Sequence, residues 1–410
     1  MTAEIISIGT ELLLGHIVNT NTSFLSQKLA EIGVDVYHTS VVGDNPMRLT
    51  QAIKQAVHRS DVVITTGGLG PTVDDITIET IAALVGKRLI LNKTVLKDLK
   101  DYFKMRKTAF PRNNVRQAMI PEDTKWIRNR AGTAPGLIAD YRGKIIVCLP
   151  GPPREIEPMF VNDIMPLLIK RSAPNWIIKS RTIKIASGLE SLVNNKVKDL
   201  LNLKPPTTVG IYAKLGQVEL KIMSKAKTGK EAARAIALIE QKIRSRLKDH
   251  IFGCDHETLE GAVAGLLIAK KKTIAAAESC TGGLLSSRLT DVSGSSKYFI
   301  MGLIAYSNEV KKNILCVDSE ILKKYGAVSA QVASQMAVGI KLLAGADIGV
   351  GITGIAGPTG GTRTKPVGLV YIALAIGSKL IARELKFRGS REEIKFQSSQ
   401  VALDLIRLNV

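Results

Sequence analysis

The segment Ala277-Glu278-Ser279-Cys280-Thr281-Gly282-Gly283 carries two hydroxyls, a thiol and two glycines. It lies between an apolar run, Thr273 to Ala277, and a stretch with helical spacing, Leu284 to Leu289. A strand that ends in such groups and turns into a helix gathers nucleophiles and backbone N–H groups around one point. Helix N-termini favour anions and developing negative charge. The turn therefore predicts a phosphate site or an oxyanion site for acyl transfer. A plain strand-to-helix turn with a serine cap would show the same pattern. Other polar segments follow: Gly294-Ser295-Ser296 before a strand, Ala305-Tyr306-Ser307-Asn308-Glu309-Val310-Lys311 at its end, Thr353-Gly354-Ile355-Ala356-Gly357-Pro358, and Phe387-Arg388-Gly389-Ser390-Arg391. The five histidines (16, 38, 58, 250 and 256) all lie outside this set. A serine nucleophile here needs another base, and Lys or Tyr is an accepted substitute. Lys311, close to Tyr306 in sequence, is expected to hold that phenol partly deprotonated. Cys280 is the rival nucleophile, because a helix N-terminus acidifies a thiol. Without a histidine partner it reads as a packing residue. No cluster of His, Cys and carboxylates occurs here, so no cofactor is expected at this end.

A second group lies near the start of the chain. Thr65-Thr66-Gly67-Gly68-Leu69-Gly70-Pro71-Thr72-Val73-Asp74-Asp75 follows a β-type run and opens a helix. Its glycines let the backbone approach a ligand, and Thr72 can bond a phosphate oxygen or cap the helix. Asp74 and Asp75 would repel a phosphate unless a divalent cation lay between them, which predicts a metal-assisted site. Acidic residues favouring the helix dipole are the plainer reading of the same pattern. Three other strand ends carry similar groups: Gly9-Thr10-Glu11, Gly43-Asp44-Asn45, and Pro150-Gly151-Pro152-Pro153-Arg154-Glu155. In an open α/β sheet such loops meet at one edge, where ligands bind.

Strands alternating with helices must position both groups. Runs at 4–8, 34–42, 61–65 and 144–149 read as strands, and 19–32, 46–59, 74–85 and 93–107 as helices, so a mainly parallel α/β sheet is expected. After a break at 171–176 comes a compact β-α-β-β-α unit: strand 177–187, helix 189–201, strands 207–213 and 217–224 joined by a hairpin at Lys214-Leu215-Gly216, and helix 229–248. From 258 the alternation resumes with helices 258–270, 282–290, 329–343 and 390–408, and strands 273–277, 298–306, 347–353, 367–376 and 379–387. Three domains follow: 1–170, 171–255 and 256–410. The length of 410 residues fits two or three domains at about 150 residues each.

Composition narrows the function. The apolar share of 45% fills cores, and the 4% aromatic share makes them mostly aliphatic. No apolar run reaches the roughly 18 residues of a membrane span. Met1-Thr2-Ala3-Glu4 lacks the basic n-region of a signal peptide. Four scattered cysteines without a C-x-x-C pair fit reduced thiols and a cytoplasmic location. The net charge of +21 divides as +4, +10 and +7 over residues 1–170, 171–255 and 256–410. With few aromatics to stack bases, that excess reads as solvated basic faces rather than a nucleic-acid surface.

The motifs also carry a resemblance. Gly9-Thr10-Glu11-Leu12-Leu13-Leu14-Gly15, Thr66-Gly67-Gly68-Leu69-Gly70-Pro71-Thr72 with Asp74-Asp75, and Leu149-Pro150-Gly151-Pro152-Pro153 resemble the MoaB/MogA molybdopterin-binding fold, in the version found at the N-terminus of bacterial CinA proteins. That resemblance implies a three-layer α/β domain with a metal-dependent ADP-ribose pyrophosphatase site. Gly67, Gly68, Gly70, Pro71 and Thr72, with Glu11 and Glu155, would hold the nucleotide, and Asp74, Asp75 and Asp44 a divalent metal. The middle unit resembles the KH-like connector of CinA proteins. It lacks the Gly-x-x-Gly loop that clamps nucleic acid and reads as a spacer. The polar segments after 258, with Gly326-Ala327-Val328-Ser329 and Lys365-Pro366-Val367-Gly368, resemble the CinA C-terminal domain, or PncC family. This implies deamidation of nicotinamide mononucleotide to nicotinic acid mononucleotide and ammonia. By position Ser296, Tyr306 and Lys311 match the catalytic group, with Ser296 favoured over Ser279 as nucleophile. Ser279, Thr353 and Arg391 match substrate contacts, with Thr281, Gly282, Gly283, Asn308, Gly354 and Gly357 beside them. The resemblance further implies a homodimer. The alternatives are a non-catalytic nucleotide or nucleic-acid binder with a competence or DNA-damage role, and a molybdopterin-binding protein.

Overall fold

The structure is a computed structural model, and it describes residues 1–172, 176–186 and 190–410. Contacts divide the chain into two compact units, Met1–Lys179 with Lys225–Ala233, and Ser180–Ser224 with Arg234–Val410.

In the first unit a six-stranded sheet runs in the order Asp35–Val42, Thr2–Ile8, Val62–Thr66, Lys144–Leu149, Gly136–Tyr141, Lys125–Ile127. The first four strands are parallel and the last two antiparallel. Near-continuous apolar runs such as Val62–Ile64 form central strands because helices cover both faces. One face packs Leu49, Ile53, Ile81, Val95 and Leu99, and the other Leu25, Leu29, Ile156 and Phe160. Helix entries are set by side-chain caps, Asn19 for Thr20–Glu31 and Asn45, followed by Pro46, for Pro46–Arg59. The strands Lys125–Ile127 and Gly136–Tyr141, and the short pair Leu89–Leu91 with Met119–Pro121, stand outside the strands read from the sequence. They are too short, or too evenly mixed, to show a period of two.

The connector forms an antiparallel sheet in the order Thr207–Lys214, Gln217–Ala226, Ile177–Ala186, Ile251–Cys254, with helices Glu190–Leu201 and Gly229–Leu247. The expected hairpin is present: Lys214 pairs with Gln217, and Gly216 takes the positive φ that its two-residue turn requires. Ile251–Cys254, read as part of a break, instead closes this sheet beside Ile177–Ala186. Residues 187 and 189, the expected end of one strand and start of the next helix, lie outside the described residues.

The C-terminal sheet runs Phe299–Ile304, Ile274–Glu278, Ile348–Gly354, Leu369–Ile376, Lys379–Lys386. Its first three strands are parallel and the last two antiparallel. Helix Ala330–Ala344 packs closely on one face: Cβ atoms at Gly349 and Gly351 would fall within 2.2 Å of its carbonyl oxygens. Helices Leu259–Ala269 and Arg391–Asn409 contribute to the core on the other. Among the described residues no helix is long and apolar enough to cross a membrane.

Candidate functional site

Parallel pairing brings the ends of Ile274–Glu278, Phe299–Ile304 and Ile348–Gly354 to one edge of the C-terminal sheet. There Ser279 follows the first strand, Ala305 and Tyr306 the second, and Thr353 is the last residue but one of the third. The segment after Tyr306, expected to end the strand, is instead a short helix, Asn308–Asn313, capped by Ser307, whose single buried side chain is Lys311. Lys311 is 1% exposed. It donates to Ser279 Oγ at 3.2 Å, Ala305 O at 2.7 Å and Tyr306 O at 3.0 Å. Burial pushes the Lys311 pKa below the usual lysine range, with the neighbouring Cys280 acting the other way. A lysine with two carbonyls fixing it and a serine as third partner is arranged to take that serine's proton.

Ser296 is not part of this group. It is an exposed residue of the turn Ser295–Lys297, which precedes Phe299–Ile304. In a parallel sheet a residue before one strand and a residue after its neighbour lie at opposite edges. The six-residue strand separates them by roughly 20 Å. Within this chain the serine at Lys311 is Ser279. The Tyr306 expectation is corrected as well: Lys311 touches its carbonyl, not its phenol. The phenol is exposed and accepts from Arg391 Nη2 at 3.4 Å.

The anion expected at the helix N-terminus is supplied by the chain itself. Glu278, fully buried, accepts from the N–H groups of Gly283 (3.1 Å), Leu285 (3.1 Å) and Ser286 (2.8 Å), and from Ser286 Oγ at 2.7 Å. The helix end holds the turn in shape rather than offering a free phosphate site. Replacing Glu278 by Ala leaves several buried donors without an acceptor and should cost roughly 2–3 kcal/mol. Thermal unfolding of the full chain checks this; an unchanged transition would contradict the capping role.

The polar groups left at the turn belong to Thr281, which is fully buried. Its hydroxyl lacks a partner among the described residues. Cys280 is 6% exposed, and burial pushes its thiol up to about 12, as a packing residue requires. Thr353 donates to Ala327 O at 2.8 Å and ties the 326–329 loop to the sheet. Arg391 donates to Gly357 O at 2.7 Å, which holds its guanidinium over the same edge. Asn308 is exposed at the start of its helix. Gly282 and Gly283 both take positive φ in the turn, and Gly354 closes its strand.

The first unit builds its own edge. Gly67 N–H donates to Leu149 O, Gly9 N–H to Val42 O, and Asn21 Nδ2 to Gly151 O at 2.6 Å, so four strand-end loops interlock. A Cβ at Gly67 would fall 2.3 Å from Ile8 O, so no other residue fits. Asp75 Oδ2 accepts from Thr72 N at 2.8 Å and Thr72 Oγ1 at 2.5 Å, and Asp44 Oδ2 from Thr10 N at 2.9 Å and Thr10 Oγ1 at 2.8 Å. Asp74 is exposed. Asp44, Asp74 and Asp75 are therefore not gathered as a ligand set, and among the described residues no three His, Cys, Asp or Glu form a metal cage. A hard cation at this edge would have to take most of its ligands from phosphate oxygens and water. Glu11 folds back over Gly9. Glu155, 7% exposed, accepts from Asn129 Nδ2 at 2.7 Å.

Three adjoining domain matches and a full-length relative decide the family. Residues 4–170 match a family described as probable molybdopterin binding domain, 180–253 the damage-inducible protein CinA KH domain, and 256–410 the CinA C-terminal domain. A CinA-like protein of Kosmotoga olearia is 48% identical over 407 residues, 99% of this chain and 98% of that protein. The chain belongs to the CinA family. A CinA-like protein of Dictyoglomus thermophilum is 47% identical over 99% of this chain and 98% of its own length. Among solved structures, the CinA protein of Thermoplasma acidophilum, described as of unknown function, is 35% identical. It matches 41% of this chain and 99% of its own, with a TM-score of 0.38.

Several residues of this CinA chain escaped sequence reasoning. Arg116 donates to the carbonyls of Thr72 and Asp75 (2.7 Å to the latter) and pairs with Glu79 at 2.7 Å, clamping the acidic loop. Asn129 holds Glu155 and, through Oδ1, the N–H groups of Ala131 and Gly132. Both lie in 106–135, where 3-10 turns and short strands leave no periodic signal. Glu278 had a visible signal: a carboxylate ending an apolar strand directly before a helix.

Proposed function

We propose that the C-terminal domain is a nicotinamide-nucleotide amidase in which Ser279 is the nucleophile and Lys311 its base. The observation that carries this is the buried Lys311 amine against Ser279 Oγ, at a strand-end edge without histidine. Neutral Lys311 takes the Ser279 proton as Oγ attacks the carboxamide carbon of nicotinamide mononucleotide. The proton then passes to the departing nitrogen, which leaves as ammonia, and an ester to Ser279 remains. Water, deprotonated by Lys311, cleaves that ester to nicotinic acid mononucleotide and restores the serine. Thr281, with its unpartnered hydroxyl, would serve as a donor to the oxyanion. The reading is tested by product analysis: nicotinic acid mononucleotide and ammonia should form in equal amounts and independently of chelator. Absence of either product would reject it.

We further propose that the N-terminal domain hydrolyses the diphosphate of ADP-ribose. The support is the set of interlocked glycine-rich loops at one sheet edge, with Thr72 and Asp75 on a loop fixed by Arg116. A divalent cation carried with the diphosphate would neutralise its charge and activate water. Arg116→Ala should lower kcat/KM for ADP-ribose about tenfold, in keeping with loss of charge-assisted hydrogen bonds, and leave deamidation by the other domain unchanged. Chelator should abolish ADP-ribose hydrolysis in the wild type. Turnover that survives chelation, or an Arg116→Ala chain as fast as wild type, would contradict this account.

A further inference from the structure

A groove of about 590 Å³ lies between the connector hairpin and the outer strand of the C-terminal sheet, Lys379–Lys386. Both walls belong to the second compact unit. The hairpin rests on helix Arg391–Asn409 so closely that a Cβ at Gly216 would fall 3.0 Å from Gln400 Cγ. The groove is separate from the Ser279 site. Its outer strand stands three strand spacings, roughly 14 Å, from Ile274–Glu278. Its helix residues, Gln397, Val401 and Leu408, lie on a face turned away from that of Arg391.

Leu385, Phe387, Val401 and Leu405 give the groove an apolar wall, and Lys214, Arg383, Lys386 and Arg388 give it positive charge. Lys214 pairs with Glu219 at 2.8 Å, and Lys386 lies 3.6 Å from Glu384. The guanidinium groups of Arg383 and Arg388 have no partner among the described residues. Two carboxylates also line the groove. Asp404 is neutralised by Arg407 at 2.7 Å, and Glu190 opens helix Glu190–Leu201. Two amides complete it. Gln217 Nε2 donates to Glu219 Oε1 at 3.0 Å, and Gln397 Nε2 to Arg388 O at 3.0 Å and Glu393 O at 3.2 Å. Each amide oxygen is left as an acceptor.

We infer that this groove is a further ligand site, for a nucleoside diphosphate whose base carries an exocyclic amino group. The apolar wall covers the base, the two guanidinium groups bind phosphate oxygens in pairs, and the amide oxygens accept from the amino group. The volume falls within the roughly 300–1,000 Å³ of small-molecule sites, which favour such junctions between domains. A fatty acid would leave both amide oxygens without a donor. A bare phosphate would leave the apolar wall uncovered.

The test is photolabelling of the full chain with 8-azido-ADP, followed by digestion and mass mapping. Label should fall on peptides from 213–218 and 383–408, and excess nicotinamide mononucleotide should leave it in place. ADP should chase it at least about tenfold better than adenosine, because the guanidinium groups read the phosphates. The double variant Arg383→Gln with Arg388→Gln should lose about 10- to 100-fold of this label, as removal of charge-assisted hydrogen bonds does. Arg383→Lys with Arg388→Lys should recover part of it, since the charge is kept and the paired donors are lost. Absence of label from these peptides, equal chase by adenosine, or undiminished label in the Gln variant would overturn the site. Displacement by nicotinamide mononucleotide would make the groove part of the deamidase site and overturn it as well.

Discussion

Ser279→Ala is expected to lower ammonia release from nicotinamide mononucleotide by about three orders of magnitude or more, while Ser296→Ala stays within a few-fold of wild type. The contrast follows from strand direction. Ser279 ends a strand at the edge that holds Lys311, 3.2 Å from its Nζ, whereas Ser296 opens the adjacent parallel strand at the other edge. Removing Ser279 Oγ deletes the group attacked and acylated in the proposed cycle. The variant should fold normally, because the lost hydroxyl leaves Lys311 with two carbonyl partners. Steady-state ammonia assays on both variants, with thermal unfolding as a control, check this. A dead Ser296→Ala beside an active Ser279→Ala would return the nucleophile to the 294–296 turn.

Lys311→Ala should be nearly as damaging, about 10³-fold, and Lys311→Arg should not rescue it. A guanidinium stays charged across the working pH range and cannot accept the serine proton. The pH dependence has a definite sign. Burial lowers the Lys311 pKa, and the base form is the neutral one. Activity therefore rises with pH through a value below the usual lysine range and is lost on the acid side as Lys311 protonates. In Lys311→Ala that acid limb should vanish from what activity is left. An acid limb unchanged in the variant would assign it to another group and remove Lys311 as the base.

Much of this was legible in the residues. The alternation of apolar runs with helical stretches marked the parallel strands at 4–8, 61–65 and 144–149. The glycine and acid residues after them marked their shared edge. The segment 277–283 was identifiable as a turn of chemical interest for the same reason. What stayed hidden depends on direction and on non-periodic chain. Two serines seventeen positions apart look equivalent until the sheet is known to be parallel, and parallel pairing is itself enough to separate them. Lys311 looked like a strand-end neighbour of the Tyr306 phenol because the six-residue helix Asn308–Asn313 is too short to show a period. Arg116 and Asn129 sit in non-periodic chain and bond the loops beside them. The metal expectation met a similar limit: carboxylates adjacent in sequence, Asp74 and Asp75, point to different surroundings, one to solvent and one to Thr72.

The central claim is that Ser279 carries the acyl group, and a rapid-quench experiment on the full chain tests it most directly. Wild-type protein is mixed with saturating nicotinamide mononucleotide, quenched in acid within a single turnover, digested and mapped by mass. The account predicts that the peptide containing Ser279 gains the mass of the mononucleotide acyl group, and that Ser279→Ala shows no such peptide. An adduct on the peptide containing Ser296, or full-rate turnover by Ser279→Ala, would contradict it.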